Sequence, residues 1–251
     1  METVLQIKDL SKVFHQGKNE FYGVDHISFE LMKNQILGIV GESGSGKSTV
    51  AKLITRLIDA SSGTIILEGQ DITALKGSRL REVYSKIQMV FQTPMSSFDP
   101  RRTLGDGIGE SLRNKKIPKS QISKRVEELL LQCGLTAEFA QRYPHEVSGG
   151  ECQRAAIARA LANDPEILIL DEATSALDVT VQKQILDLLQ ELQKKRGLSY
   201  LFICHNLALV QEFCDEIIVM YDGKIVESGK TDEVIGHPQA EYTKRLIEAI
   251  F

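Results

Sequence analysis

No stretch of this sequence runs to 18 apolar residues, so nothing in it predicts a membrane-spanning helix. The opening METVLQIKDL lacks a basic segment followed by an apolar one, and no export signal is expected there. An excess of positive charge is also missing. Thirty basic residues face 34 acidic ones, a net charge of −4, whereas a surface that coats nucleic acid is usually basic. Cysteine is scarce: Cys133, Cys152, Cys204 and Cys214 include no CxxC pair, and they are expected to be reduced, buried thiols rather than a metal site. Long repeats and low-complexity segments are absent as well. What is present, 251 residues with 42% hydrophobic and 25% charged, fits one large globular domain or one domain with an insertion.

The spacing of apolar residues sets the expected elements. VLQIK (4–8) is a short strand, and HISFEL (26–31) alternates Ile27, Phe29 and Leu31 with polar neighbours, as a half-buried strand does. ILGIV (36–40) is apolar throughout, which suits a strand covered on both faces. KSTVAKLITRLI (47–58) places Val50, Leu53, Ile54, Leu57 and Ile58 on one face of a helix. TIILEG (64–69) and KIQMVF (86–91) read as strands. From about 93 to 165 no buried strand is expected, and ISKRVEELLLQCG forms an amphipathic helix with Ile122, Val126, Leu129, Leu130 and Cys133 on one side and Gly134 as its stop. Beyond it, ILILDE and YLFIC read as buried strands, and VQKQILDLLQELQKKR as a helix with three basic residues in its last turn before Gly197. EIIVM and KIVES are joined by a YDG turn, a hairpin signal, and 239–251 reads as one more helix.

Between the strand ILGIV and the helix after it lies Gly41-Glu42-Ser43-Gly44-Ser45-Gly46-Lys47-Ser48, a full match to GxxxxGK[ST] in its proper context. Glycines let the backbone curl so that successive N–H groups converge on phosphate oxygens, and the helix start adds partial positive charge. Lys47 then bridges β- and γ-phosphates, and the Ser48 hydroxyl is placed to hold Mg²⁺, with Thr49 next to it. A flexible Gly/Ser loop would explain the glycines but not Lys47 and Ser48 at those positions.

ILILDE supplies what such a loop requires. Asp171 ends a buried strand, where a carboxylate reaches Mg²⁺ directly or through water, and Glu172 is the candidate general base. His205 follows the strand YLFIC and is a candidate to contact the γ-phosphate and orient water; a purely structural role is the alternative. Gln92 follows IQMVF at the entry to the helical stretch. If it reaches Mg²⁺ or the water, it links nucleotide state to the position of that stretch.

A second helix start, SGGECQRAAIARA (148–160), is also built to receive an anion: Ser148 is a good N-cap, and Gly149 and Gly150 permit close approach. It has no lysine and no acidic strand end of its own. The economical reading is that it serves the nucleotide of another subunit, two chains facing head to tail around two nucleotides.

These motifs, in this order and spacing, resemble those of ABC-type ATPase subunits across essentially the whole chain. The resemblance implies an α/β fold: a RecA-like P-loop core with an N-terminal antiparallel β subdomain (1–92 and 166–251) and an inserted helical subdomain (93–165). It implies ATP and Mg²⁺ as ligands, with Ser48, Gln92 and Asp171 around the metal. Phe14 matches the aromatic residue that stacks on adenine, and Gln92 the Q-loop. Ser148, Gly149, Gly150 and Glu151 match the signature, and Ser175, Ala176, Leu177 and Asp178 the D-loop that contacts the partner subunit. The signature departs from LSGGQ at Val147 and at Glu151, which adds negative charge near phosphate.

A narrower likeness follows from FQTPMSSFDPRRT, PHEVSGGECQRAAIARAL and TSALDVTVQKQIL, which resemble the ATPases of peptide and nickel uptake systems. That branch implies a second ATPase subunit, a paralogue or another copy of this chain, two integral-membrane permease subunits and, indirectly, an extracytoplasmic substrate-binding protein. It places the chain at the cytoplasmic face of the cell membrane, held there through its partners. Oligopeptide ATPases commonly continue past the point where this sequence stops, at Phe251, and that leans the expected cargo toward nickel or a metal chelate. Two other classes stand beside this reading. A soluble ABC ATPase that clamps nucleic acid usually carries two cassettes, a long coiled coil or a zinc insertion, none of which is present. A non-catalytic nucleotide-gated scaffold would not need Glu172 and His205.

Overall fold

Two long strands open the chain, β1 (Thr3–Gln16) and β2 (Asn19–Met32), paired antiparallel with Phe14 opposite Phe21. β3 (Ile36–Val40), α1 (Lys47–Ile54), β4 (Ser62–Leu67), β5 (Gln70–Asp71), α2 (Gly77–Lys86) and β6 (Ile87–Val90) follow. A helical stretch comes next, with α3 (Leu104–Ile108), α4 (Glu110–Asn114), α5 (Lys119–Gln132) and α6 (Gly149–Leu161). The chain then returns to alternation through β7 (Ile167–Asp171), α7 (Val179–Arg196), β8 (Ser199–Ile203), α8 (Leu207–Phe213), β9 (Glu216–Tyr221), β10 (Lys224–Lys230), α9 (Thr231–Gly236) and α10 (Glu241–Glu248). The structure, a computed structural model, describes residues 2–17 and 19–249. The last two residues of the helix expected over 239–251 lie outside them.

The chain divides into two compact units, Met1–Tyr84 with Ser199–Phe251, and Ser85–Leu198. In the first, β2, β1, β4 and β5 form an antiparallel sheet in that order. A second sheet runs β10-β9-β3-β8, with β3 parallel to both neighbours. Every residue of β3 and β8 is buried, as their largely apolar sequences require, and the polar side chain of Ser199 in β8 accepts the Asn34 N–H at 2.9 Å. Tyr200 and Phe202 of β8 pack on Phe213 of α8 with ring centroids 6.2 and 5.0 Å apart, and burying a side chain of that size stabilises the fold by about 1.5–3 kcal/mol. The β9–β10 hairpin turns through Asp222 (φ 47°) and Gly223 (φ 76°), two successive positive angles whose twist matches that of the strands.

One helix is shorter than its apolar spacing predicts. α1 ends at Ile54, not Ile58. The Thr55 hydroxyl donates to the Ala51 carbonyl at 2.8 Å, and Arg56 turns into the left-handed region at φ 57° with its guanidinium 2.8 Å from Asp59. Val50, Leu53 and Ile54 are buried as expected, but this break carries Leu57 to 54% exposure.

In the second unit, β6 and β7 pair in parallel. The apolar face of α5 is buried over Ile122, Val126, Leu129 and Leu130, with Gly134 at φ 72° two residues past the helix. α7 buries Ile185, Leu188, Leu189 and Leu192 and stops at Gly197, φ 67°. Arg159 lies over the Phe98 ring, 4.7 Å from its centroid, and Asp164 joins Arg125 (2.6 Å) to Arg196 (3.0 Å). Gln153 of α6 is an exception to the rule that buried polar groups are paired. It is fully buried, and neither amide atom has a hydrogen-bond partner among the described residues. Gln153→Met keeps the volume and removes the unpaired amide, so the melting temperature is expected to hold or rise by about 2–4 °C. A fall in a thermal melt would show that the amide holds a buried water.

The four cysteines are free and buried. Burial pushes the Cys133 thiol up to about 12 and that of Cys152 to about 11, so these sulfurs stay protonated and unreactive at neutral pH.

Candidate functional site

The glycine-rich loop begins where β3 ends, and its shape depends on two glycines. Gly46 sits at φ 103°, and a Cβ there would come within 2.4 Å of the Gly23 carbonyl oxygen. Gly41, at φ 147°, would place one 2.2 Å from that of Met220. The loop is further tied by a Gly223 N–H to the Ser45 carbonyl (3.1 Å) and by the Glu42 N–H to the Tyr242 hydroxyl (3.0 Å). Burial raises the Tyr242 hydroxyl above its ordinary range, so it remains a neutral acceptor for that amide. Lys47 is buried, 4% exposed, and its ammonium donates to the carbonyls of Gly41 (2.8 Å) and Glu42 (2.7 Å) and to Ser45 Oγ (3.3 Å). Glu42, Ser43 and Gly44 are exposed at the loop tip, and Ser48 and Thr49 are half-buried in the first turn of α1.

Parallel pairing brings His205 to the same sheet end. Ile39 of β3 lies opposite Ile203 of β8, so the loop and His205 both leave the carboxyl ends of neighbouring strands. His205 is exposed there, just before Asn206 caps α8 through Ala208 N–H at 3.0 Å. Phe14 is half-buried on β1, stacks on Phe21 at 5.5 Å and has Lys12 Nζ 5.4 Å from its ring centroid. Its ring lies over Gly23, where a Cβ would come within 2.5 Å.

The same logic assembles the second unit's residues. Val90 pairs with Leu170, which puts Gln92 and Glu172 beyond the same ends of β6 and β7. Gln92 Nε2 donates to Glu172 Oε2 at 2.8 Å and to Ser175 Oγ at 3.3 Å, which leaves its carbonyl oxygen for a metal or a water. Asp171 ends β7 nearly buried. Glu172 follows at φ 49°, a conformation uncommon for a residue with a Cβ, and its carbonyl accepts from the Ser175 N–H (3.1 Å) and hydroxyl (3.0 Å).

Ser148 is the N-cap of α6 in a capping box with Glu151. Its N–H and hydroxyl both donate to Glu151 Oε2 at 2.8 Å, and its Oγ accepts the Glu151 N–H at 3.3 Å. The Ser148 backbone bond, then its hydroxyl, hold the Glu151 carboxyl below the usual glutamate range. Its contribution is therefore complete at neutral pH and is lost as the pH falls from the ordinary value through the lowered one. The signature and the D-loop meet in this unit: a Cβ on Gly150 would touch Val181 Cγ1 at 2.6 Å, and one on Gly149 would lie 3.5 Å from Leu177. Ala176 is exposed, and Asp178 caps α7 by accepting from Val181 N–H at 3.0 Å.

Sequence spacing alone did not reveal Tyr242, Phe21, the Gln92–Glu172 bond or the cap made by Glu151. The last was signalled by SxxE, a capping-box pattern. The first three depend on strand register and on where α10 packs.

The sequence profile of the family described as "ABC transporter" matches residues 24–175. The chain is 46% identical over 252 residues to the oligopeptide transport ATP-binding protein OppF of Bacillus subtilis (strain 168), covering 99% of this chain and 83% of that protein. It is 44% identical over 257 residues to the glutathione import ATP-binding protein GsiA of Salmonella paratyphi A, covering 99% of this chain and 41% of that longer one. Among solved structures it resembles the dimeric post-hydrolysis state of the ATP-binding cassette MJ0796 bound to ADP and Pi, with a TM-score of 0.83 and 29% identity over 90% of this chain and 98% of that one. The lean toward a nickel or metal-chelate cargo finds no support here. These transport relatives are named for oligopeptides and glutathione. The place where a sequence stops is not a cargo-binding feature, and it carried that expectation alone.

Proposed function

This chain belongs to the ABC transporter family, and from that premise we propose that it is the ATP-hydrolysing subunit of an importer whose cargo is a peptide. No helix among the described residues is long and apolar enough to cross a membrane. In this reading, attachment runs through two integral-membrane permeases at the cytoplasmic face. A second ATPase subunit faces this one, and an extracytoplasmic binding protein delivers the peptide. The inserted helical subdomain, 93–165, meets the permease, while 1–92 and 166–251 carry the nucleotide.

The observation that carries the hydrolytic reading is the loop with its buried lysine. The Lys47 ammonium already has three oxygen acceptors within 3.3 Å, which are the kind of partners a triphosphate offers in greater number and with charge. Lys47 and the loop amides hold the phosphates, and Phe14 stacks on the adenine. The donor set of Ser48 hydroxyl, Asp171 carboxylate and Gln92 carbonyl fits Mg²⁺, a hard cation that takes oxygen ligands. That ion, when bound, neutralises charge on the phosphate oxygens. Glu172 accepts the proton of the attacking water, Gln92 holds Glu172 in place, and His205 orients the water against the γ-phosphate. Ser148, Gly149, Gly150 and Glu151 complete the site of the facing subunit, next to the D-loop residues 175–178.

The cargo is tested by ATP hydrolysis in the reconstituted complex. Stimulation by oligopeptide-loaded binding protein is expected. Stimulation by a metal chelate alone overturns the peptide reading.

Glu151 gives a finer test. Glu151→Gln keeps the capping box, since Gln serves that position as well, and removes one negative charge beside the incoming phosphate. The KM for ATP is expected to fall about two- to five-fold, the size of a single screened charge contact. An unchanged KM in steady-state assays would show that the carboxylate is too far from phosphate to matter.

A further inference from the structure

Residues 101–125 hold eight basic and two acidic side chains, a local excess of six positive charges in a chain whose net charge is −4. Half of those cations are paired within the fold. Arg101 and Arg102 meet Asp99 at 3.2 and 3.9 Å, Arg113 meets Asp106 at 3.5 Å, and Arg125 meets Asp164 at 2.6 Å. The other half, Lys115, Lys116, Lys119 and Lys124, is exposed, and none of these side chains makes an ion pair or hydrogen bond among the described residues.

These lysines occupy defined positions rather than a loose tail. Lys115 and Lys116 form the turn between α4 and α5, where Lys116 adopts φ 59° and its N–H bonds the Arg113 carbonyl at 2.8 Å. Ile117 then turns into a groove of about 780 Å³ that Ile122, Val126 and Lys119 also line. Local stability does not call for the charge. Lys119 opens α5, where a cation faces the positive end of the helix dipole, and the first turn has neither an acidic residue nor a side-chain cap.

We propose that this lysine cluster rests on anionic phospholipid headgroups. The inference depends on the reading of the chain as a subunit held at the membrane. Lys115, Lys116 and Lys119, gathered at the turn and the first position of α5, each gain attraction near an anionic leaflet and need no shaped pocket, because the headgroups move to meet them. Nucleic acid is the weaker fit. Residues 101–125 include no aromatic side chain on which a base could stack.

Vesicle flotation of the full chain tests this, with phosphatidylcholine alone or with added phosphatidylglycerol. Binding only to the anionic vesicles is expected, abolished by high salt. Replacing Lys115, Lys116 and Lys119 together by Glu should weaken it about 100-fold or more while ATP hydrolysis is unchanged. The milder triple change to Gln, checked by thermal melt, covers the case in which charge reversal impairs folding. Equal binding to neutral vesicles, undiminished binding by both variants, or displacement from vesicles by a single-stranded RNA oligomer would overturn the proposal. So would a variant that loses co-purification with the permeases, because that places the lysines on protein. Failure of the importer reading is separate: it appears as a wild-type chain that neither hydrolyses ATP nor associates with permeases, whatever the vesicles do.

Discussion

Glu172→Gln is expected to bind ATP and to turn it over about 10²–10⁴ times more slowly, the range that a positioned general base contributes. The substitution preserves shape and leaves an oxygen to accept the Gln92 Nε2 hydrogen bond, now 2.8 Å, so the strand end keeps its form. What disappears is the capacity to take a proton from water. The mass of this variant in solution, with and without ATP and Mg²⁺, separates the remaining questions. A dimer that appears only with ATP would mean that the Ser148 helix of one copy closes over the loop of another identical copy. A monomer that holds ATP would assign the facing surface to a different ATPase subunit. Turnover near that of the wild type would remove Glu172 from the role of base.

Lys47→Ala is expected to abolish ATP binding at ordinary concentrations, a loss of about 100-fold or more, since a charge-assisted hydrogen bond contributes about 1.5–3 kcal/mol and Lys47 supplies more than one. The same change leaves the Gly41 and Glu42 carbonyls and Ser45 Oγ without their shared donor. Part of the damage should therefore appear without nucleotide, as a lower melting temperature. Lys47→Arg helps to separate the two effects: it keeps the charge, but its planar fork does not reproduce the point contact of an ammonium. Calorimetric titration giving an affinity within tenfold of the wild type for Lys47→Ala would reject the phosphate role of the loop.

The phosphate loop, the acidic strand end and the capped helix start were legible in sequence because each is a local arrangement. GxxxxGK[ST] works through backbone angles within eight residues, Ser148 before two glycines marks an N-cap, and an apolar run as short as ILGIV, followed by a glycine-rich turn, favours a covered strand over a helix. The alternation of strands and helices and the mostly helical stretch after Gln92 were readable for the same reason.

Other features depended on residues far apart in the chain. α1 stops four residues early because Thr55 and Arg56 find bonds that compete with the helix, a contest that apolar spacing does not report. Gln92 meets Glu172, 80 residues away, only because β6 and β7 pair in parallel with Val90 opposite Leu170. Tyr242 reaches the Glu42 amide across 200 residues through the packing of α10. Sequence alone thus determined which chemical groups this protein carries and the local shapes that present them, since those follow from torsion angles and nearby hydrogen bonds. Tertiary structure decided which of these groups touch, because strand register and helix docking are settled by the burial of whole faces rather than by any one segment.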